Sequence, residues 1–192
     1  MNYRMIFYMT GRLLQIEAGL LLLPALEAAV YGDGGLAALL IAAAVAMLCG
    51  TAMTLCRRPK NQTIYAKEGF IIVALCWLLL SAVGALPFTL SGEIPNYVDA
   101  LFETVSGFTT TGASVVTDLG RMGEALGMSH GLLFWRSFTH WIGGMGVLVL
   151  MMALVPTGSG RTIHVMRAEV PGPIVGKLVP RLRDTAKILY LI

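Results

Sequence analysis

The sequence predicts an all-α membrane protein with about four spanning helices and one shorter helix that enters the membrane and returns. Of its residues, 56% are hydrophobic and 13% charged, and the mean hydropathy is +0.75. A soluble domain carries about 25% charged residues, so this composition indicates a chain inside the bilayer. Two further observations support this fold class: the basic residues are gathered in two segments, and residues 98–114 form a short helix-like run that ends in Thr-Thr-Thr-Gly.

Four apolar runs are long enough to span, since about 20 apolar residues cross the hydrocarbon. They are residues 5–30, 35–56, 69–90 and 130–155. The first run is imperfect because it contains Arg12, Glu17 and Glu27. These acids either pair with Arg12 or face the aqueous boundary. Acids in the run and the lack of a small-residue cleavage pattern favour a retained helix over a signal peptide.

The distribution of positive charge predicts the topology. The basic residues are concentrated in the loop after the second run and in the tail after the fourth: Arg57, Arg58, Lys60, Lys67, Arg161, Arg167, Lys177, Arg181, Arg183 and Lys187. Basic loops stay on the cytoplasmic side, so both ends of the chain are expected there. If residues 98–114 crossed the membrane, the basic tail would lie outside.

Residues 98–114 are therefore predicted to be re-entrant. A helix from about Pro95 to Phe108 rises about 20 Å, which is short of the roughly 30 Å hydrocarbon core. Non-helical backbone at that depth survives only when it is buried in protein or lines water. The segment thus needs either a pore or close partners.

The residues of this loop suit a dehydrated monovalent cation, which stacked carbonyl oxygens can hold. Thr109, Thr110 and Thr111 are β-branched and favour extended backbone. Gly112 can adopt a positive φ, which lets successive carbonyls point to one side. The carboxyl end of the short helix favours a cation, and Asp99 complements its other end. The alternative is a loop that only packs, because Thr and Gly are common at helix contacts in membranes.

Several residues of the fourth run bear on this loop. Arg136 is costly in a membrane unless it is paired, and Glu103 is the expected partner, supporting the loop from behind; the alternative is that Arg136 snorkels to the surface. His140 is expected to be a hydrogen-bonded structural residue rather than a proton-linked group. Gly143, Gly144 and Gly146 indicate tight packing against the short helix rather than a hinge. Trp135 is predicted to be an interfacial anchor.

Other function classes find little support. No nucleophile–base pair, acid dyad or phosphate cradle shares a face at membrane depth, so an intramembrane enzyme is not expected. The basic tail suits anionic lipid head groups or a cytoplasmic subunit. Nucleic acid is not an expected partner, because these charges lie next to the membrane.

The chain resembles the superfamily of Trk, Ktr and HKT potassium transporters, and most closely the bacterial Trk-type membrane subunit. Three stretches carry the resemblance: residues 100–114 (ALFETVSGFTTTGAS), residues 134–146 (FWRSFTHWIGGMG), and a tail with Glu169-Val-Pro-Gly-Pro173 and Arg183-Asp-Thr-Ala-Lys187. The resemblance implies repeats of helix, pore loop and helix, four of which surround one pore. It also implies two extra transmembrane helices before the first repeat.

The resemblance implies potassium uptake across the bacterial inner membrane. The filter strand would be Thr110, Thr111, Gly112 and Ala113, supported by Thr109, Glu103 and Arg136. Potassium is then the substrate and no covalently bound cofactor is expected. The implied partners are membrane lipid, a cytoplasmic nucleotide-binding regulatory subunit and a second copy of the full-length chain in a homodimer.

The sequence contains one such repeat. We therefore expect an N-terminal portion of a longer protein, with two helices in residues 1–60, the first repeat in 61–160, and a basic linker with the start of a next repeat in 161–192. The alternatives are a homotetrameric cation channel and a non-conducting membrane assembly piece.

Overall fold

A computed structural model describes residues 3–56, 66–116 and 128–144. All regular elements in these ranges are helices. They are α1 (Tyr3–Leu20), α2 (Leu22–Tyr31), α3 (Leu36–Cys56), α4 (Ala66–Gly84), α5 (Leu86–Ser91), α6 (Tyr97–Phe108) and α7 (His130–Gly144). The predicted all-α membrane fold is confirmed for this part of the chain.

Three stretches of the described chain are long and apolar enough to cross a membrane. They are Tyr3–Tyr31, Leu36–Leu55 and Gly69–Ser91, which match the first three predicted runs. The fourth predicted run is described only as far as Gly144. The basic residues of the loop at 57–65 and of the tail from 161 onward lie outside the described residues.

Two of the three stretches consist of two helices in series. Leu21 separates α1 from α2, and Ala85 separates α4 from α5. Each break precedes a proline, Pro24 in the first case and Pro87 in the second. Proline has no amide hydrogen and its ring crowds the carbonyl four residues earlier, so a continuous helix is disfavoured at both places.

The first hairpin is formed by α1, α2 and α3, which turn at Gly32 with a left-handed φ of 71°. α1 and α3 approach closely because Gly11 faces Gly50: a Cβ added at either one would lie within 2.8 Å of the other's carbonyl oxygen. Beside this contact, Gln15 Nε2 donates to the hydroxyls of Thr51 and Thr54, each at 3.3 Å. Small residues and interhelical hydrogen bonds are what hold helices together inside a membrane.

α6 is the short helix of the predicted loop. It has 12 residues, so it rises about 18 Å at 1.5 Å per residue. It packs against α4 on one side and α7 on the other. Phe108, its last residue, is fully buried and packs edge-on against Trp77 and Trp135.

Candidate functional site

The amino end of α6 is capped by Asn96. This residue has extended backbone, and its side-chain oxygen accepts a hydrogen bond from the amide of Val98 at 3.0 Å. Asp99 lies in the first turn, as predicted. The start predicted from the sequence, at about Pro95, lies two residues before the first residue of α6, Tyr97. An asparagine directly before the apolar run is the signal that marks this boundary.

The carboxyl end of α6 closes in a left-handed turn. The amide of Thr110 donates to Gly107 O and the amide of Thr111 donates to Ser106 O, both at 2.9 Å. This pair of bonds defines a Schellman motif, in which the left-handed residue is usually glycine. Here that residue is Thr110, with a φ of 56°. A β-branched residue in this region costs about 1–2 kcal/mol.

The predicted extended backbone of the three threonines is therefore wrong in part. Thr109 has ψ 0° and Thr110 is left-handed. The physical reason is that the last carbonyls of α6 need donors, and the turn supplies them at the expense of the β-branched preference. Gly112 does adopt a positive φ, 76°, as the sequence predicted.

The hydroxyls of the loop bond mainly to backbone oxygens. Thr109 Oγ1 donates to Val105 O at 2.8 Å and lies 2.8 Å from Thr111 Oγ1, while Thr110 Oγ1 donates to Thr109 O at 2.7 Å. Ser106 Oγ donates to Ala113 O at 2.6 Å. This bond connects α6 to residues 113–116, which we call the outgoing strand of the loop. Residues 109–115 are exposed. The loop is thus fixed from the helix side and open on the other.

Glu103 joins α6, the outgoing strand and α7. Its side chain is buried and accepts from Ser114 Oγ and the amide of Val115, both at 3.0 Å. It also forms an ion pair with Arg136 Nε, and the Arg136 side chain is only 14% exposed. Arg136 therefore faces Glu103 and does not snorkel. Three donors converge on one carboxylate, which is the condition under which a buried charge is tolerated.

α6 and α7 are in direct backbone contact near the loop. A Cβ added at Gly143 would overlap the carbonyl oxygen of Phe108, and one added at Gly107 would overlap Thr139 Oγ1. His140 Nδ1 lies 3.0 Å from Arg136 O, within one helical turn. The interpretation of Gly143 as a packing residue and of His140 as a hydrogen-bonded structural residue agrees with this geometry. Gly146 lies outside the described residues.

Trp135 is fully buried behind the loop, so its prediction as an interfacial anchor is wrong. Its Nε1 donates to Gly84 O at 2.9 Å, at the break between α4 and α5. Its ring meets Phe108 edge-on at 6.3 Å, and Phe108 meets Trp77 in the same way at 6.4 Å. A carbonyl at a helix break needs a donor, and the indole N–H supplies it.

Glu17 fits neither of its two predicted environments. It is 2% exposed, and among the described residues neither carboxylate oxygen has a hydrogen-bond partner. Arg12 donates instead to Gln15 Oε1 at 3.1 Å. The Glu17 carboxyl lies beside Gly84 and the back of α6.

The ion-binding chemistry available in this part of the chain is that of oxygen ligands. The described ranges hold no cluster of three or more His, Cys, Asp or Glu side chains arranged to bind a metal ion. The exposed loop that follows α6 contains threonine hydroxyls and backbone carbonyls, of which Thr109 O and Ala113 O accept hydrogen bonds from side-chain hydroxyls. Such ligands suit hard monovalent cations.

Comparison with known proteins gives the family. The family described as "TrkH: Cation transport protein" matches residues 36–192. The Trk system potassium uptake protein TrkH of Salmonella typhimurium is 39% identical over all of this chain, and TrkG of Escherichia coli is 32% identical over 99% of it. The crystal structure of the potassium transporter TrkH from Vibrio parahaemolyticus superposes on the whole chain with a TM-score of 0.77 and 32% identity.

The match covers part of these relatives. The chain spans 39% of the length of the Salmonella protein and 36% of the Vibrio chain. It confirms the resemblance drawn from the motifs and places the chain with transporters, not with enzymes. This chain is an integral membrane protein and belongs to the TrkH family of cation transport proteins.

Proposed function

We propose that this chain contributes one strand of a potassium-selective filter, formed by Thr110, Thr111, Gly112 and Ala113, in a potassium uptake protein. The observation that carries the proposal is the loop itself. It follows a helix too short to span, is fixed on one side by Ser106 and Glu103, and leaves residues 109–115 exposed on the other. The names of the relatives, which are potassium uptake proteins, support the choice of ion.

A filter ring needs oxygen ligands from all sides of the ion. One loop supplies part of such a ring, so we propose that this unit is the first of four and that the other three strands surround the same pore. Glu103 and Arg136 would then hold the strand from behind, with Thr109 at its start. The polar contacts of Glu103 with Ser114 and Val115 support this role, because they fix the strand without using the exposed face.

The experiment is a chimaera in which residues 1–192 replace the aligned part of the Salmonella TrkH. We expect it to restore potassium uptake to cells that lack their own uptake systems. Gly112→Asp should abolish uptake while the protein still reaches the membrane. Retained uptake in this variant would overturn the filter assignment.

A neutral matched pair controls for backbone strain. Gly112 and Gly92 both have positive φ, 76° and 82°, and nothing lies within 4 Å of an added Cβ at either position. Asparagine tolerates this backbone region best after glycine, so both Asn variants should fold. We expect Gly112→Asn to lower potassium uptake and its selectivity over sodium, and Gly92→Asn to leave both unchanged.

We also propose that the protein lies in the bacterial inner membrane with both ends of this chain in the cytoplasm, where the basic tail meets lipid head groups or the nucleotide-binding regulatory subunit. Gly34 and Gly92 would then lie outside, and both have open space around them. A membrane-impermeant thiol reagent should label Gly34→Cys and Gly92→Cys in intact cells. Labelling only after permeabilisation would reverse this topology.

A further inference from the structure

The first turn of α7 is held by carboxylates from two different turns of the chain. Glu93, after α5, has both oxygens 3.2 Å from the amide nitrogen of Ser129. Asp33, before α3, accepts from the amide of Gly131 at 3.3 Å and lies 3.3 Å from His130 Nδ1. The first amides of a helix lack partners within it, and negative charge beside them is favourable.

Close packing surrounds these contacts. The ring of Tyr31 stacks on His130 at 4.3 Å with an interplanar angle of 5°. A Cβ added at Gly131 would lie 2.6 Å from Ala28 Cβ, so α2 and α7 touch at their ends. We call Tyr31, Asp33, Glu93, Ser129 and His130 the α7 clamp.

The α7 clamp is connected to the loop by a single rigid element. Arg136 lies seven residues after Ser129 on α7, which corresponds to about 10 Å along the helix axis. Arg136 pairs with Glu103, and Glu103 holds Ser114 and the amide of Val115. The position of the first turn of α7 therefore sets where Arg136 meets Glu103.

We propose that Asp33 and Glu93 are positioning residues for the outgoing strand of the loop, acting through the register of α7 and the Arg136–Glu103 pair. The functional consequence rests on the proposed filter, whereas the positioning itself does not. The α2–α3 turn then has a role beyond joining two helices, because it holds the second helix of the repeat in place.

The clamp is also sensitive to pH. Burial raises the pKa of the Glu93 carboxyl, hydrogen bonds from Ser129 lower it, and the charge of Asp33 raises it. Asp33 is the charged group that acts on Glu93 in the described part of the chain, and His130 lies 3.3 Å from Asp33. The raised pKa means that Glu93 binds its proton more tightly in the clamped state than in an opened one. Protonation of Glu93 therefore favours the clamped state, and the clamp loosens as pH rises through that pKa.

The test is amide hydrogen exchange of the 192-residue chain in lipid nanodiscs. We expect the double variant Asp33→Ala/Glu93→Ala, which removes both acceptors, to lower protection of the Ser129 and Gly131 amides, and of the distant Val115 amide, by about tenfold, the scale of one net hydrogen bond. Glu27→Ala is the matched control, a carboxylate of α2 that lies outside the clamp. Unchanged protection of Val115 in the double variant would overturn the positioning role.

The pH dependence of amide exchange is measured as protection factors, which are corrected for the intrinsic rate of exchange. In the native chain, protection of Ser129 and Val115 should rise as pH falls through the raised pKa of the Glu93 carboxyl, and Glu93→Gln should abolish this slope. An equal slope in both proteins would contradict the assignment to Glu93.

Transport by the chimaera separates the two proposals. If Glu93→Gln removes a pH dependence of the KM for potassium while the exchange result also holds, both proposals stand. If the chimaera takes up no potassium but Val115 responds to the clamp variants, the filter proposal fails and the positioning stands. If uptake is normal and Val115 does not respond, the positioning fails alone.

Discussion

Glu103 is the residue on which the polar contacts behind the loop converge. It accepts from a serine hydroxyl and a backbone amide of the segment that follows α6, and from a guanidinium of α7. A buried ion pair adds little net stability compared with a well-packed apolar pair, but removing one partner leaves a buried charge and costs about 3–5 kcal/mol. Glu103 therefore contributes mainly by fixing the positions of Ser114, Val115 and Arg136 relative to α6.

The coupling of Glu103 with Arg136 can be measured by a double-mutant cycle. We expect Glu103→Gln and Arg136→Gln each to lower the free energy of unfolding in detergent by about 3–5 kcal/mol, because each leaves its partner unpaired. The double variant should lose less than the sum by at least about 1 kcal/mol. Strict additivity would mean that the two side chains do not act as a pair.

Thr110 stores strain at the start of the proposed filter strand. Thr110→Gly relieves about 1–2 kcal/mol of strain from the left-handed backbone. About half of this gain is offset because glycine gives the unfolded chain more conformational entropy to lose on folding. Thr111→Gly has no such strain to relieve, since Thr110 is the one non-glycine residue with positive φ among the described residues. We expect Thr110→Gly to be more stable than Thr111→Gly by about 1–2 kcal/mol in thermal unfolding. The opposite order would show that the strain is absent.

At the scale of elements, the contact between α6 and α7 decides where the loop begins. The two helices approach so closely that Gly143 lies against the backbone of Phe108, the last residue of α6. Backbone cannot rotate away from an added methyl group as a side chain can, so this site admits no Cβ without moving a helix. The aromatic contacts of Phe108 with Trp77 and Trp135 hold the other side of the same helix end.

Neighbouring glycines of α7 provide a direct test of this contact. Gly143→Ala should destabilise the protein by about 2 kcal/mol or more, through overlap with Phe108. Gly144→Ala meets its nearest atom only at 3.8 Å, so it should stay within about 1 kcal/mol of the native protein. Melting temperatures of the two variants in one detergent measure the difference, and equal values would contradict the close approach.

At the scale of the whole molecule, the first hairpin (α1–α3) and the later helices form one body, because α1 packs against α4, α3 against α5, and α2 against α7 beside the α7 clamp. Through the proposed positioning role of the α7 clamp, the first hairpin influences the loop. The clamp also gives the whole protein a pH dependence of stability.

The sign of that dependence follows from Glu93. Its pKa is raised in the folded protein, so between its ordinary value of 4.5 and the raised value only the folded state keeps the proton. The stability of the native protein relative to Glu93→Gln should therefore fall as pH rises through this range and level off above it. Urea unfolding of both proteins at several pH values measures this difference. A difference that grows with pH would contradict the burial of Glu93.

The long apolar runs could be predicted because a membrane span is defined by length and composition, which are properties of the sequence alone. The runs at 5–30, 35–56 and 69–90 agree with the structure to within a few residues. The breaks at Leu21 and Ala85 were missed inside these runs, although Pro24 and Pro87 mark them. The family motif at residues 100–114 could likewise be recognised from the sequence, because it is defined by the order of its residues.

The sequence by itself determined the membrane class, the short α6 and the glycine at positive φ that follows it, because hydropathy, helix length and the freedom of glycine are local properties. Only the tertiary structure decided that Thr110 is left-handed, that Trp135 is buried at a helix break, and that Asp33 and Glu93 meet at α7. The last two depend on an unpaired backbone group that finds its partner on a distant segment, which no local pattern specifies. The turn at Thr110 depends instead on the last carbonyls of α6, which take their donors from the residues that follow.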